Sequence, residues 1–146
     1  WQGRLEEVRQ LLADGADIEE REGERDTTAL LTAAFMGHTK VVELLLEYGA
    51  DASARNSFGG TPLHEASHSG HAEVIRVLLA NGADLSSINI SGWTALHFAV
   101  DRGAEAVVRL LLASGADVSP KNNVGMTPED LATARSHPQL AVLLRS

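Results

Sequence analysis

A tripeptide, Gly-Ala-Asp, recurs at Gly15, Gly49, Gly82 and Gly115, at spacings of 34, 33 and 33 residues. Thr28, Thr61, Thr94 and Thr127 keep the same step, as do Ala33, Ala66, Ala99 and Ala132, each time at 33 residues, so the one extra residue falls between Asp17 and Thr28. A fixed period of this length leaves a chain few options. Each unit is one supersecondary element too small to bury its own apolar face, so successive units must stack in a line. Every residue is therefore judged first against its counterparts one period away.

Within a unit the apolar pattern is helical. Val41, Val42, Leu44, Leu45 and Leu46 recur as Val74, Ile75, Val77, Leu78 and Leu79, then as Val107, Val108, Leu110, Leu111 and Leu112. That stripe is too wide for a helix facing solvent on one side and predicts packing on both flanks. Ahead of it, Thr61-Pro62 offers a capping hydroxyl and a proline at the first helical position, where the missing N–H costs nothing. A short first helix starts there and Gly70 ends it. A second helix runs from His71 to about Asn81, and Gly82 permits the left-handed turn that closes it. The polar stretch before the next threonine, with Gly59, Gly92 and Gly125 at one fixed place, reads as a turn or hairpin.

Thr61-Pro62-Leu63-His64-Glu65-Ala66, its close copy Thr94-Ala95-Leu96-His97-Phe98-Ala99, and the Gly70-His71 that opens the second helix resemble the ankyrin repeat, a 33-residue unit marked by T-P-L-H-x-A. The resemblance covers almost the whole chain. It implies an all-α solenoid: a right-handed stack of helix pairs whose β-hairpin turns project to one side and bound a concave groove. Residues 1–146 then form a single domain, with a partial repeat at 1–20 that has only its second helix, full repeats at 21–53, 54–86 and 87–119, and a capping repeat at 120–146. Leu5, Val8, Leu11 and Leu12 would lack part of their cover, and further repeats are expected before Trp1, which aligns with Phe35 and could cover the open end. Glu129 and Asp130 replace the leucine and histidine of the motif, as a polar outer cap requires.

Composition narrows the function classes. The net charge is -8, and nine of the twenty acids fall in the first 26 residues, against four arginines there. Such a field repels phosphate backbones, so no nucleic-acid partner is expected. No apolar run nears the ~18 residues that span a bilayer, and no membrane partner is expected. The chain has no cysteine, which excludes thiol catalysis and cysteine zinc sites and fits a reducing compartment. A monomer of intracellular location, cytoplasmic or nuclear, is the expectation, and no motif calls for a cofactor.

One stretch does look catalytic. His64-Glu65-Ala66-Ser67-His68 spells H-E-x-x-H, in which two imidazoles on one helix face hold zinc beside a general-base glutamate. The period argues against it. His64 recurs as His97, and His71 recurs as His38 and His137; only His68 is irregular. In the family that the chain resembles, the motif histidine is buried and ties neighbouring turns together, which would leave it unable to ligate a metal. A third ligand at the spacing of known zinc hydrolases is also missing, since Val74 and Ile88 stand at the relevant positions. The zinc hydrolase is thus the remote alternative. The run "IEEREGERD" from Ile18 to Asp26 reads as a solvated loop.

The reading adopted is a non-enzymatic protein-interaction module, an adaptor, scaffold or inhibitor, with a regulatory segment of a larger enzyme as the alternative. The resemblance implies that hairpin tips and first helices face a protein partner. Carried by register, the candidate partner-binding residues are Phe35, Met36, Phe58, His68, Ile88, Ile90, Trp93, Asp101, Arg102, Val124, Met126 and Arg135. Most are apolar where the scaffold asks for nothing apolar, and a contiguous apolar surface usually marks an interface. Trp93 is singled out as the expected hot spot.

Overall fold

Four threonines one period apart set where the helices begin. Thr28, Thr61, Thr94 and Thr127 occupy N-caps with extended backbone, and each hydroxyl accepts the N–H three residues on. The computed structural model describes residues 2–146, and side chains from residue 4; Trp1, with its expected covering role, lies outside the described residues. Among these, nine helices follow in order: α1 (Gln2–Ala13), α2 (Ala29–Met36), α3 (Thr39–Glu47), α4 (Pro62–Ser69), α5 (Ala72–Ala80), α6 (Ala95–Asp101), α7 (Glu105–Ala113), α8 (Pro128–Ala134) and α9 (Pro138–Arg145).

The helices form two layers. The first helices α2, α4, α6 and α8 pack in sequence, and α1, α3, α5 and α7 form the row behind them, with α9 against α8. Columns of equivalent residues build the core. Ala33, Ala66, Ala99 and Ala132 are buried between first helices, where a methyl group lets the backbones come close. Val42, Ile75, Val108 and Ala141, and likewise Leu45, Leu78, Leu111 and Leu144, run through the second row. This accounts for the wide apolar stripe: each second helix is covered both by its own first helix and by its neighbours in the row.

The turns are held by side chains that repeat with the same period. Asp51, Asp84 and Asp117 each accept both the backbone N–H and the hydroxyl of the serine two residues on, and these bonds keep the three carboxyls below the usual range. At the tips, the amide oxygens of Asn56, Asn89 and Asn122 each accept N–H groups from residues i+2 and i+4. Hairpins are then stitched together: Ser57 N–H donates to Arg25 C=O, Ile90 N–H to Phe58 C=O and Asn123 N–H to Ser91 C=O. The first hairpin is tighter than the solvated loop expected from its charge. Glu22 and Thr27 form an antiparallel bridge, Arg21 donates to Arg55 C=O at 2.7 Å, and Glu19 accepts the Asp51 N–H at 2.8 Å. Its side chains are still largely exposed.

The two ends differ. Leu11 on α1 is 60% exposed, and Leu5, Val8 and Leu12 are only half-buried. At the other end Asp130 takes over the histidine's part, its carboxylate accepting from the Thr127 N–H and hydroxyl, both at 2.9 Å, while Glu129 pairs with Arg145.

Glycines separate two contributions that are usually confounded. Gly37 and Gly70 both close first helices in the left-handed region, with φ of 75° and 79°. A Cβ at Gly70 would meet nothing within 4 Å, whereas one at Gly37 would lie 2.6 Å from the His71 ring, whose Nε2 donates to Phe35 C=O. Gly70→Ala should therefore cost about 1 kcal/mol of left-handed strain. Gly37→Ala should cost about 1 kcal/mol more, because His71 must move. Urea denaturation of the two variants tests the difference, and equal losses would refute it.

Candidate functional site

The hairpin tips and the exposed side of the first helices enclose a groove whose centre is aromatic. A concavity of about 260 Å3 is lined by Arg25, Phe35, Phe58, Glu65, His68 and Phe98, together with Ile90 and its neighbours. The rings are ordered along the stack. Phe35 stacks on His68 with centroids 6.3 Å apart, His68 meets Phe98 edge-on at 5.7 Å, and Phe98 lies 5.0 Å from Trp93. Each comes from a different turn or helix, so the row exists only because the repeats are stacked. Edge and offset contacts at these separations add to what burial alone contributes.

The floor of the concavity carries charge. Glu65 is only 7% exposed, and its Oε1 accepts from Asn56 Nδ2 at 2.7 Å and Arg25 Nη2 at 2.8 Å. Arg25 comes from the first hairpin and lies over the faces of Phe35 and Phe58, at 5.7 and 5.8 Å. Gly60 makes room for this cluster: a Cβ there would crowd the Asn56 amide and the Glu65 carboxylate at 3.2–3.3 Å. One period on, the same column holds Trp93 and then Met126.

The apparent zinc motif comes apart at His64. Its Nδ1 accepts the Thr61 N–H at 2.9 Å and its Nε2 donates to Ser87 C=O at 2.9 Å, so neither nitrogen has a lone pair for a metal. Burial pushes its pKa down to about 4 despite the bond to Ser87. His97 repeats the arrangement, from Thr94 N–H to Met126 C=O. Glu65, the would-be general base, accepts hydrogen bonds from Arg25 and Asn56. His68 stands apart from both, in the aromatic row.

The sequence-predicted residues divide. Phe35, Phe58, His68 and Ile90 share the central concavity with Phe98. Trp93, Val124, Met126 and Arg135 line a second of about 420 Å3 toward the C-terminal end, where Val124 is 78% exposed. Met36 joins Phe35 in a third, of about 310 Å3, by the first hairpin. Asp101 is ion-paired with Arg135. Arg102 is exposed at the end of α6, and Ile88 is exposed behind the tip; neither lines any of the three. Trp93 is half-buried against the core, less exposed than a purely partner-facing residue. Phe98 and Glu65 were missed because they occupy the variable position of T-P-L-H-x-A. Glu65 stands out in the sequence as a departure, and comparing that position across repeats, Thr32, Glu65, Phe98 and Leu131, adds Phe98.

Similarity to other proteins agrees with the geometry. The family model described as "Ankyrin repeats (3 copies)" matches residues 1–89, 50–122 and 85–146. A putative ankyrin repeat protein of Rickettsia bellii is 59% identical over 39 residues, 27% of this chain and 16% of its own. The inactive serine/threonine-protein kinase TEX14 of Mus musculus is 34% identical over 65 residues, 44% of this chain and 4% of that protein. Protein phosphatase 1 regulatory subunit 12A of Mus musculus is 39% identical over 62 residues, 42% of this chain and 6% of that protein. The chain thus corresponds to a small part of each relative's length. Capped helix pairs, hairpins tied tip to tip and two histidines, His64 and His97, that each bridge a repeat to the next are what the 33-residue period builds, and with the family model matching along its whole length, the chain belongs to the ankyrin repeat family.

Proposed function

We propose that this chain is a non-enzymatic protein-interaction module that binds a protein partner along its concave groove. The observation that carries the reading is the row of partly exposed rings, Phe35, Phe58, His68, Phe98 and Trp93, running across successive repeats. Exposing such surface to water is unfavourable unless something covers it. Because the rings are held by stacked repeats, little conformational freedom is lost when a partner arrives. The family is generally non-enzymatic, and both nitrogens of His64 are committed to backbone bonds. A regulatory segment that docks on a catalytic partner is a second form of the same reading, favoured by the similarity to a phosphatase regulatory subunit.

The test compares two variants with the parent by affinity capture, with identification of the proteins whose recovery differs. Phe58→Ala, at a tip residue 51% exposed, should leave stability nearly unchanged and weaken partner binding roughly tenfold, as loss of a hot spot does. Trp93→Ala should weaken binding as much, leave helical content nearly unchanged, and lower stability modestly, because the indole also packs on Phe98 and His97. Equal recovery of every bound protein by the parent and both variants would overturn the groove reading.

A further inference from the structure

The central concavity contains an ion pair that an apolar groove has no need of. Glu65 is the exception in its column, standing where the next repeat has Phe98. Both of its hydrogen bonds end on Oε1, and no described residue donates to Oε2. A carboxylate this deeply covered calls for a cation and more than two donors. The cation it has is a loosely delivered one. Arg25 sits on an exposed turn with almost half its side chain open to solvent, and among its guanidinium groups only Nη2 is bonded to a described residue. The structure therefore already displays a guanidinium held by one carboxylate and two ring faces, supplied by a residue that can leave without disturbing any helix.

We propose that this concavity binds an arginine side chain of the protein partner, which takes the place of Arg25 on Glu65 and on the rings of Phe35 and Phe58. The proposal rests on the groove reading and names the chemistry of its occupant. Exchange of one guanidinium for another leaves Glu65 paired throughout, so no uncompensated buried charge is created, and Arg25 is released into water. The planar guanidinium, unlike an ammonium, can present two N–H groups to a carboxylate while its face rests on an aromatic ring, which suits both Oε1 and Oε2 here. The wider field selects the same sign. The chain carries a net charge of -8, the hairpin beside the concavity bears Glu22, Glu24 and Asp26, and such a surface steers basic segments inward and turns acidic ones away. His64, in the wall, adds no opposing positive charge near neutral pH.

Three capped pentapeptides, Gly-Ser-Arg-Ser-Gly and its versions with glutamate or norleucine in place of arginine, provide the test, read by NMR from the side-chain signals of His68 and Trp93. The arginine peptide should shift these signals saturably and the other two should not. Arg25→Ala removes the internal competitor and should tighten the arginine peptide about threefold to tenfold. Glu65→Gln keeps the size of the side chain and should weaken it tenfold or more; circular dichroism of both variants confirms that they are folded. If Arg25→Ala weakens the arginine peptide, if the glutamate or norleucine peptide binds as well, or if no peptide shifts the signals, the proposal is wrong. Preference for the glutamate or norleucine peptide would leave the groove reading standing, since that reading fails only on the capture experiment with Phe58→Ala and Trp93→Ala.

Discussion

Lowering the pH from 7.5 to 4 should remove about 3 kcal/mol of stability through His64 alone. The buried ring is held at about 4, against an ordinary value of 6.5, and a difference of 6.5 − 4 = 2.5 units corresponds to roughly 3 kcal/mol at ~1.4 kcal/mol each. The sign follows from which state takes up the proton first. Between the two values the unfolded chain is protonated at this histidine and the folded one is not, so acid favours unfolding. The contribution is fully present above pH 6.5, falls through the window down to about 4, and changes no further below it. The cause is structural: Nδ1 must stay unprotonated to accept the Thr61 N–H, while Nε2 already carries the proton given to Ser87 C=O. His97 is lowered for the same first reason, burial, and adds to the loss in the same direction. An opposing trend exists, because the chain approaches its isoelectric point of about 5.1 and loses its self-repulsion there. Urea titrations at several pH values give the sum, and NMR titration of individual histidine rings isolates the parts. A His64 ring that titrates near 6.5 in the folded state would refute the prediction.

The fold was legible because repetition supplied its own controls. A single T-P-L-H says little, but Thr28, Thr61, Thr94 and Thr127 at one spacing pointed to a repeated helix start, and all four cap helices. The same control resolved the zinc motif: a histidine copied one period away at His97 has a scaffold role, and the hydrogen bonds show what that role is. The groove was harder to read for the converse reason. Residues that differ between repeats carry no internal comparison: Phe98 reads as variation at a loose position and Glu65 as the acid of H-E-x-x-H, although the two define the floor and wall of the central concavity. Arg25 was visible as a tip residue within a charged run, but nothing local indicates that its guanidinium crosses to a helix 40 positions away. The tip asparagines fall between these cases. Asn56, Asn89 and Asn122 repeat at the fixed step, and their preference for turns would have identified them.

Replacing His97 by alanine should be the most damaging of the single substitutions considered, costing about 3–5 kcal/mol, and its effect should be local. The ring is fully buried and lies 5.9 Å from Trp93, so truncation opens a cavity of the kind that makes large-to-alanine changes expensive. It also leaves the Thr94 N–H without its partner and cuts the bond from Nε2 to Met126 C=O, each a further loss of order 1 kcal/mol. The second of these bonds is the one that crosses to the last repeat. Met126 C=O keeps its bond from the Asn122 N–H, so the final hairpin stays formed but is no longer tied back to α6. In a linear array, stability is a sum of repeat and interface contributions, and a weakened interface next to an end lets that end open by itself. Hydrogen exchange should therefore accelerate in α8 and α9 while α4 and α5 keep most of their protection, and thermal unfolding should lose its single transition. If protection falls evenly from α2 to α9, the stack unfolds as one unit, and the histidine bridge between neighbouring repeats contributes to overall stability without being the joint at which the array comes apart.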